Sequence, residues 1–150
     1  FKSPPLPLLR NEELVETGPD QRYLTRRYTE EAVRFIAENK SRPFFLYLAH
    51  NMPHLPLAAS EKFAGRTAHG LYGDVIEELD WGVGEVLAAL RKAGVDRDTM
   101  VVFTSDNGPV RWAGRARHDS LAGSAGPLRA MFRSCGPSSI AAARSISPEM

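Results

Sequence analysis

Phe44-Phe45-Leu46-Tyr47-Leu48-Ala49 is an unbroken apolar run of strand length, entered through Pro43 and left through His50. A strand covered on one face alternates apolar and polar residues, whereas an unbroken run signals burial on both faces, as in a central parallel strand. Thr99-Met100-Val101-Val102-Phe103-Thr104 reads the same way. Each run follows a helical pattern. Asp20 or Thr25 can cap a helix that runs to about Asn39, with Leu24, Tyr28, Ala32, Phe35 and Ile36 on one face. A second helix is predicted from about Leu71 to Lys92, with Leu71, Val75, Leu79, Val83, Val86, Leu87 and Leu90 at helical spacing and Gly94 just past its end. Helix, strand, helix, strand is the order of an α/β layered fold with a mostly parallel sheet. Phe45, Leu48, Val102 and Phe103 are its expected buried strand residues.

The rest of the chain frames this centre. It has 150 residues, 43% apolar and 25% charged, the composition of a globular domain with its own core. Nineteen Lys and Arg stand against 18 Asp and Glu, a net charge of +1. No basic stripe recruits nucleic acid. No stretch reaches the 18 consecutive apolar residues of a transmembrane helix, so neither nucleic acid nor membrane is an expected partner. Residues 1–15 lack the pattern of a signal peptide, and an opening on Phe1 is expected of a piece of a longer protein. Ser3 to Leu9, with prolines at 4, 5 and 7, reads as an extended surface segment. Residues 1–110 carry 13 basic and 16 acidic side chains, and residues 111–150 carry 6 and 2. The latter stretch is rich in Ser, Ala, Gly and Arg without an apolar period, so its end is expected to be poorly ordered.

Both apolar runs end in groups suited to chemistry. The first leads into His50-Asn51-Met52-Pro53-His54-Leu55-Pro56, the second into Ser105-Asp106-Asn107-Gly108-Pro109. In open parallel sheets the carboxyl ends of strands are where ligands bind, because the loops leaving them converge there. Asp106 offers a carboxylate and Asn107 a carbonyl oxygen, donors that suit a hard cation such as Ca²⁺ or Mg²⁺. Asp-Asn-Gly after a strand is equally an ordinary turn, and His50 or His54 alone is equally a hydrogen-bonded surface group. His69 reads as solvent-exposed. Glu77, Glu78 and Asp80 read as a solvated flank of the second helix, with no catalytic assignment.

Three segments in order carry a family resemblance: Arg42 to Pro56, Gly70 to Asp80 and Val101 to Pro109, extended by Gly123-Ser124-Ala125-Gly126-Pro127-Leu128-Arg129. Together they resemble the type I sulfatases, with the flavour of arylsulfatase A and N-acetylgalactosamine-6-sulfatase, over about residues 5–129. The resemblance implies an alkaline-phosphatase-like α/β fold, with residues 1–129 as the middle part of a catalytic domain and residues 130–150 as a divergent tail. It implies a sulfuric ester hydrolase acting on aryl or sugar sulfate esters, its partner being a small sulfate ester or a sulfated glycan. By the same resemblance Asp106 and Asn107 match ligands of a Ca²⁺ or Mg²⁺ ion. His54 matches the histidine that touches the sulfate ester and can protonate the leaving oxygen. The family suggests a secreted, periplasmic or lysosomal setting.

Parts of the family pattern have no counterpart in these 150 residues. The nucleophile, a formylglycine made from Cys or Ser in Cys/Ser-x-Pro-x-Arg, is expected upstream together with the other metal ligands and a Lys/His pair. The lysine expected shortly after Pro127-Leu128-Arg129 is replaced by Ala130-Met131-Phe132-Arg133-Ser134. Cys135-Gly136-Pro137-Ser138-Ser139 imitates the modification motif but ends in Ser139 and follows the metal pair, so Cys135 is not assigned as nucleophile. The chain alone is therefore expected to be inactive. A phosphate-ester hydrolase of the same superfamily and a noncatalytic sulfatase-like binding protein are the alternative readings.

Overall fold

A computed structural model describes residues 5–108. The tail at 130–150, with Cys135, lies outside the described residues. The chain divides into two compact units, Phe1–Asp98 and Thr99–Met150, and each is taken by itself.

The first unit opens with an antiparallel hairpin, β1 (Pro7–Arg10) and β2 (Glu13–Thr17), paired from Pro7 opposite Thr17 to Arg10 opposite Glu13. Asn11 takes φ +55° in its turn, a region that Asn enters more readily than most residues. Of the proline-rich opening, Pro7 to Leu9 lie in β1 and are extended, as expected, while Ser3 and Pro4 lie outside the described residues. Asp20 then accepts the Arg22 N–H at 3.0 Å and starts a single 3₁₀ turn, Gln21–Tyr23, that feeds α1 (Leu24–Asn39). Leu24, Ala32 and Ile36 are buried on the expected apolar face. Asn39 closes the helix by donating to the Phe35 carbonyl at 2.7 Å and accepting from Arg42 Nε at 2.9 Å.

Helix α2 (Gly70–Ala93) ends where Gly94 turns left-handed at φ +71° and the Val95 N–H returns to the Leu90 carbonyl at 3.2 Å. That is the closure expected of a glycine just past a helix end. The two helices pack on each other. Gly82 is what brings them close, because a Cβ there would stand 2.7 Å from Thr29 Oγ1. Thr29 is buried and spends its hydroxyl on the Thr25 carbonyl at 2.8 Å. On a neighbouring part of α2, Met52, Ala59, Phe63 and Val75 form a core with Leu57, Ala58, Leu79 and Trp81 packed around it. Burying a side chain such as Ile36 or Phe63 contributes about 1.5–3 kcal/mol.

The two runs expected to be central strands differ from that expectation. Among the described residues the one ladder is β1 with β2, and neither 44–49 nor 99–104 is assigned to a strand. Residues 44–50 carry no assigned secondary structure, and exposure alternates along them. Phe44, Leu46, Leu48 and His50 are half-buried, whereas Phe45 is 86% and Tyr47 80% exposed. Phe44 meets Phe35 edge-on at 5.7 Å and His50 lies 6.3 Å from the Tyr28 ring, so α1 covers one face. Val102 and Phe103 are exposed as well. Burial on both faces requires a second layer and lateral strands, and among the described residues no strand is assigned beside these runs.

Candidate functional site

The His54 loop hangs between two differently held segments. Upstream lies the apolar run against α1. Within the loop Met52 is buried in the core, which pins the backbone two residues before His54. The His54 N–H closes a turn onto the Asn51 carbonyl at 3.2 Å. Its side chain is exposed, and Nδ1–H donates to the Leu55 carbonyl at 2.6 Å. A carbonyl can only accept, so this bond places the proton on Nδ1 and leaves Nε2 as the nitrogen turned to other chemistry.

His50 and Asn51 differ from His54 in burial. Both His50 ring nitrogens and Asn51 Oδ1 are buried and lack a hydrogen-bond partner, while Asn51 Nδ2 donates to Gln21 Oε1 at 3.1 Å. Burial pushes the His50 imidazolium pKa below its ordinary value, keeping the ring neutral.

Downstream the chain is tied to α2 by carboxylates. Asp74 Oδ2 accepts the Gly65 N–H at 2.8 Å, and Oδ1 accepts those of Arg66 at 3.1 Å and Thr67 at 2.9 Å. These backbone bonds, Thr67 and Gly65 foremost, hold the Asp74 carboxyl below the usual aspartate range. Glu78, one turn further, accepts the Ser60 N–H on Oε2 at 2.9 Å. Of the three acidic residues read as a solvated flank, Glu77 and Asp80 are exposed but Glu78 is 1% exposed. Helical spacing alone misplaced it: the loop folds back over α2 and covers this position. A signal did exist in the sequence, since a turn without regular structure must find acceptors for its amides. Asp74 and Glu78 stand at i and i+4 on the helix that follows. His69 is exposed, as read.

In the second unit, Asp106 and Asn107 follow the apolar run on an exposed loop. Ser105 Oγ donates to the Asn107 carbonyl at 2.7 Å and Thr104 Oγ1 to the Ser105 carbonyl at 3.2 Å, which shapes the turn and leaves both side chains outward. A carboxylate beside an amide oxygen is a donor set that fits a hard cation. Among the described residues no cluster of three or more His, Cys, Asp or Glu is assembled. His54 and this pair belong to separate units.

Comparison with known proteins agrees with the motifs. The family model for sulfatases matches residues 3–129. Steryl-sulfatase of Mus musculus is 47% identical over 106 residues, covering 71% of this chain and 17% of that protein. N-acetylgalactosamine-6-sulfatase of Mus musculus is 41% identical over 116 residues, covering 70% and 22%. A solved structure described under the metabolism of multiple glycosaminoglycans by Bacteroides thetaiotaomicron superposes with a TM-score of 0.60 at 38% identity, over 61% of this chain and 19% of that one. The chain belongs to the sulfatase family, and its fold is the α/β fold of that family. It spans less than a quarter of the length of these relatives.

Proposed function

We propose that this chain contributes part of the active site of a metal-dependent sulfuric ester hydrolase acting on aryl or sugar sulfate esters. The observation that carries the reading is the sulfatase match over residues 3–129, a span that contains both motif loops. The relatives named for steryl and N-acetylgalactosamine-6-sulfate bracket the substrate class as small sulfate esters or sulfated glycans. In the complete enzyme the runs at 44–49 and 99–104 are strands of a layered, mostly parallel sheet. The alternating exposure of 44–50 over α1 supports this, since a period of two is that of a strand with one face covered.

His54 is the proton donor to the leaving oxygen. With Nδ1–H engaged by the Leu55 carbonyl, the protonated ring presents Nε2–H, and that proton moves to the ester oxygen as the S–O bond breaks. A placed acid of this kind typically supplies about 10²- to 10⁴-fold in rate. Asp106 and Asn107 would hold Ca²⁺ or Mg²⁺ through oxygen, and the bound cation supplies charge stabilisation to the sulfate oxygens. The formylglycine nucleophile belongs to sequence upstream of these 150 residues. The isolated chain is accordingly inactive, and two oxygen donors give it little metal-dependent stabilisation, because Ca²⁺ takes about six to eight ligands.

Turnover of an aryl sulfate tests the reading. In the complete enzyme Asp106→Ala should abolish activity and His54→Ala should lower kcat by about 10²-fold or more, while the 150-residue chain shows none. Full activity in both variants would overturn it, as would turnover by the chain alone that is lost in Cys135→Ala.

A further inference from the structure

The two carboxylates on α2 are unusual in what they hold. Asp74 is 2% and Glu78 1% exposed, and neither has a Lys, Arg or His partner among the ion pairs of the described residues. Each instead accepts backbone N–H groups from the segment that leaves the His54 loop. Burying a carboxylate without a cation is costly, and Glu78 adds to that cost because its Oε1 is buried without a partner. A neutral acceptor would hold one amide more cheaply.

The position of that bond matters. Ser60 opens a tight turn in which its carbonyl accepts the Phe63 N–H at 2.9 Å and the Ala64 N–H at 2.8 Å. Its own N–H has no partner in the turn and is the group Glu78 accepts. Phe63 of the same turn packs in the core with Met52. The His54 loop therefore spans a closed frame, with Met52 in the core on one side and the Ser60 amide on Glu78 on the other. Asp74 fixes the far end of the turn through the amides of residues 65–67.

We propose that Glu78, backed by Asp74, is a positioning residue for His54: it touches no substrate and sets where the imidazole stands by holding the Ser60 amide. The proposal rests on the reading of His54 as the acid. A double-mutant cycle in the complete enzyme separates the two. Glu78→Ala should lower kcat by about 10-fold with KM within about 2-fold, since misplacement of a catalytic group by about 1 Å costs up to ~10². Glu78→Gln, which keeps an oxygen for the Ser60 amide, should recover most of that loss. In a His54→Ala background, Glu78→Ala should change kcat by less than about 2-fold, because the residue it positions is gone. Equal losses from Glu78→Ala in both backgrounds, or an unchanged kcat per folded molecule, would overturn the positioning role. A His54→Ala enzyme with normal kcat would instead overturn the acid reading. Amide exchange at Ser60 in the 150-residue chain reports the clamp directly: exchange about 10-fold or more faster in Glu78→Ala than in Glu78→Gln is expected, and equal rates would refute it.

Discussion

Residues 44–50 and residues 57–68 flank the same histidine loop, yet they satisfy their chemistry in opposite ways. The downstream segment settles its requirements locally. Phe63 and Ala59 are buried, and the amides of Ser60, Gly65, Arg66 and Thr67 end on two carboxylates of a helix begun only two residues after the segment ends. The upstream segment does the reverse. It lays Phe44, Leu46 and Leu48 toward α1 and presents Phe45 and Tyr47 to solvent. A loop held by side chains of the next helix needs only nearby sequence, whereas a strand needs partners of any sequence separation.

Truncations on the two sides should break or sharpen that contrast. Phe63→Ala should destabilise the 150-residue chain by about 3–5 kcal/mol, whereas Phe45→Ala should fall within about 0.5 kcal/mol, as an exposed substitution does. Urea unfolding of both variants checks this, and equal losses would mean that the upstream run is packed in solution. If 44–49 is a strand of the proposed sheet, Phe45→Ala should become costly in the complete protein.

The acid response should come from the downstream side. Because the folded-state pKa of Asp74 is depressed, its contribution is fully present above the ordinary aspartate value of 3.8 and is lost as pH falls through the lower folded value. Asp74→Asn should therefore flatten the acid limb of stability against pH below about 4, with little change in slope at neutral pH. Chemical unfolding between pH 2 and 6, followed by circular dichroism, measures it. An unchanged acid limb would show that the amide bonds of Gly65, Arg66 and Thr67 do not persist in solution.

The smallest effect belongs to the surface of α1. Arg26 and Glu30 pair at 3.4 Å with half or more of each side chain in water, so Glu30→Ala should cost about 0.3–0.5 kcal/mol and less at high salt. A larger loss, independent of salt, would place this face of α1 against something other than solvent.

The helices were legible because their information is local. Leu24, Ala32 and Ile36 recur at the period of one helical face, and Gly94 is the residue that can turn left-handed where α2 must stop. The family was legible for a different reason: Pro53-His54-Leu55-Pro56 and Ser105-Asp106-Asn107-Gly108 are chemical groups in a set order, visible without any fold. Tertiary structure alone decided the fate of Glu78. Spacing put it beside Glu77 and Asp80 on a polar flank, and only the returning loop, which covers this one position and offers it the Ser60 amide, made it a buried acceptor. The apolar runs mark the other limit. Phe44 to Ala49 states in its composition that both faces are to be covered, but composition cannot supply the cover. One face is met by α1, and the other, with Phe45 and Tyr47, is exposed among the described residues.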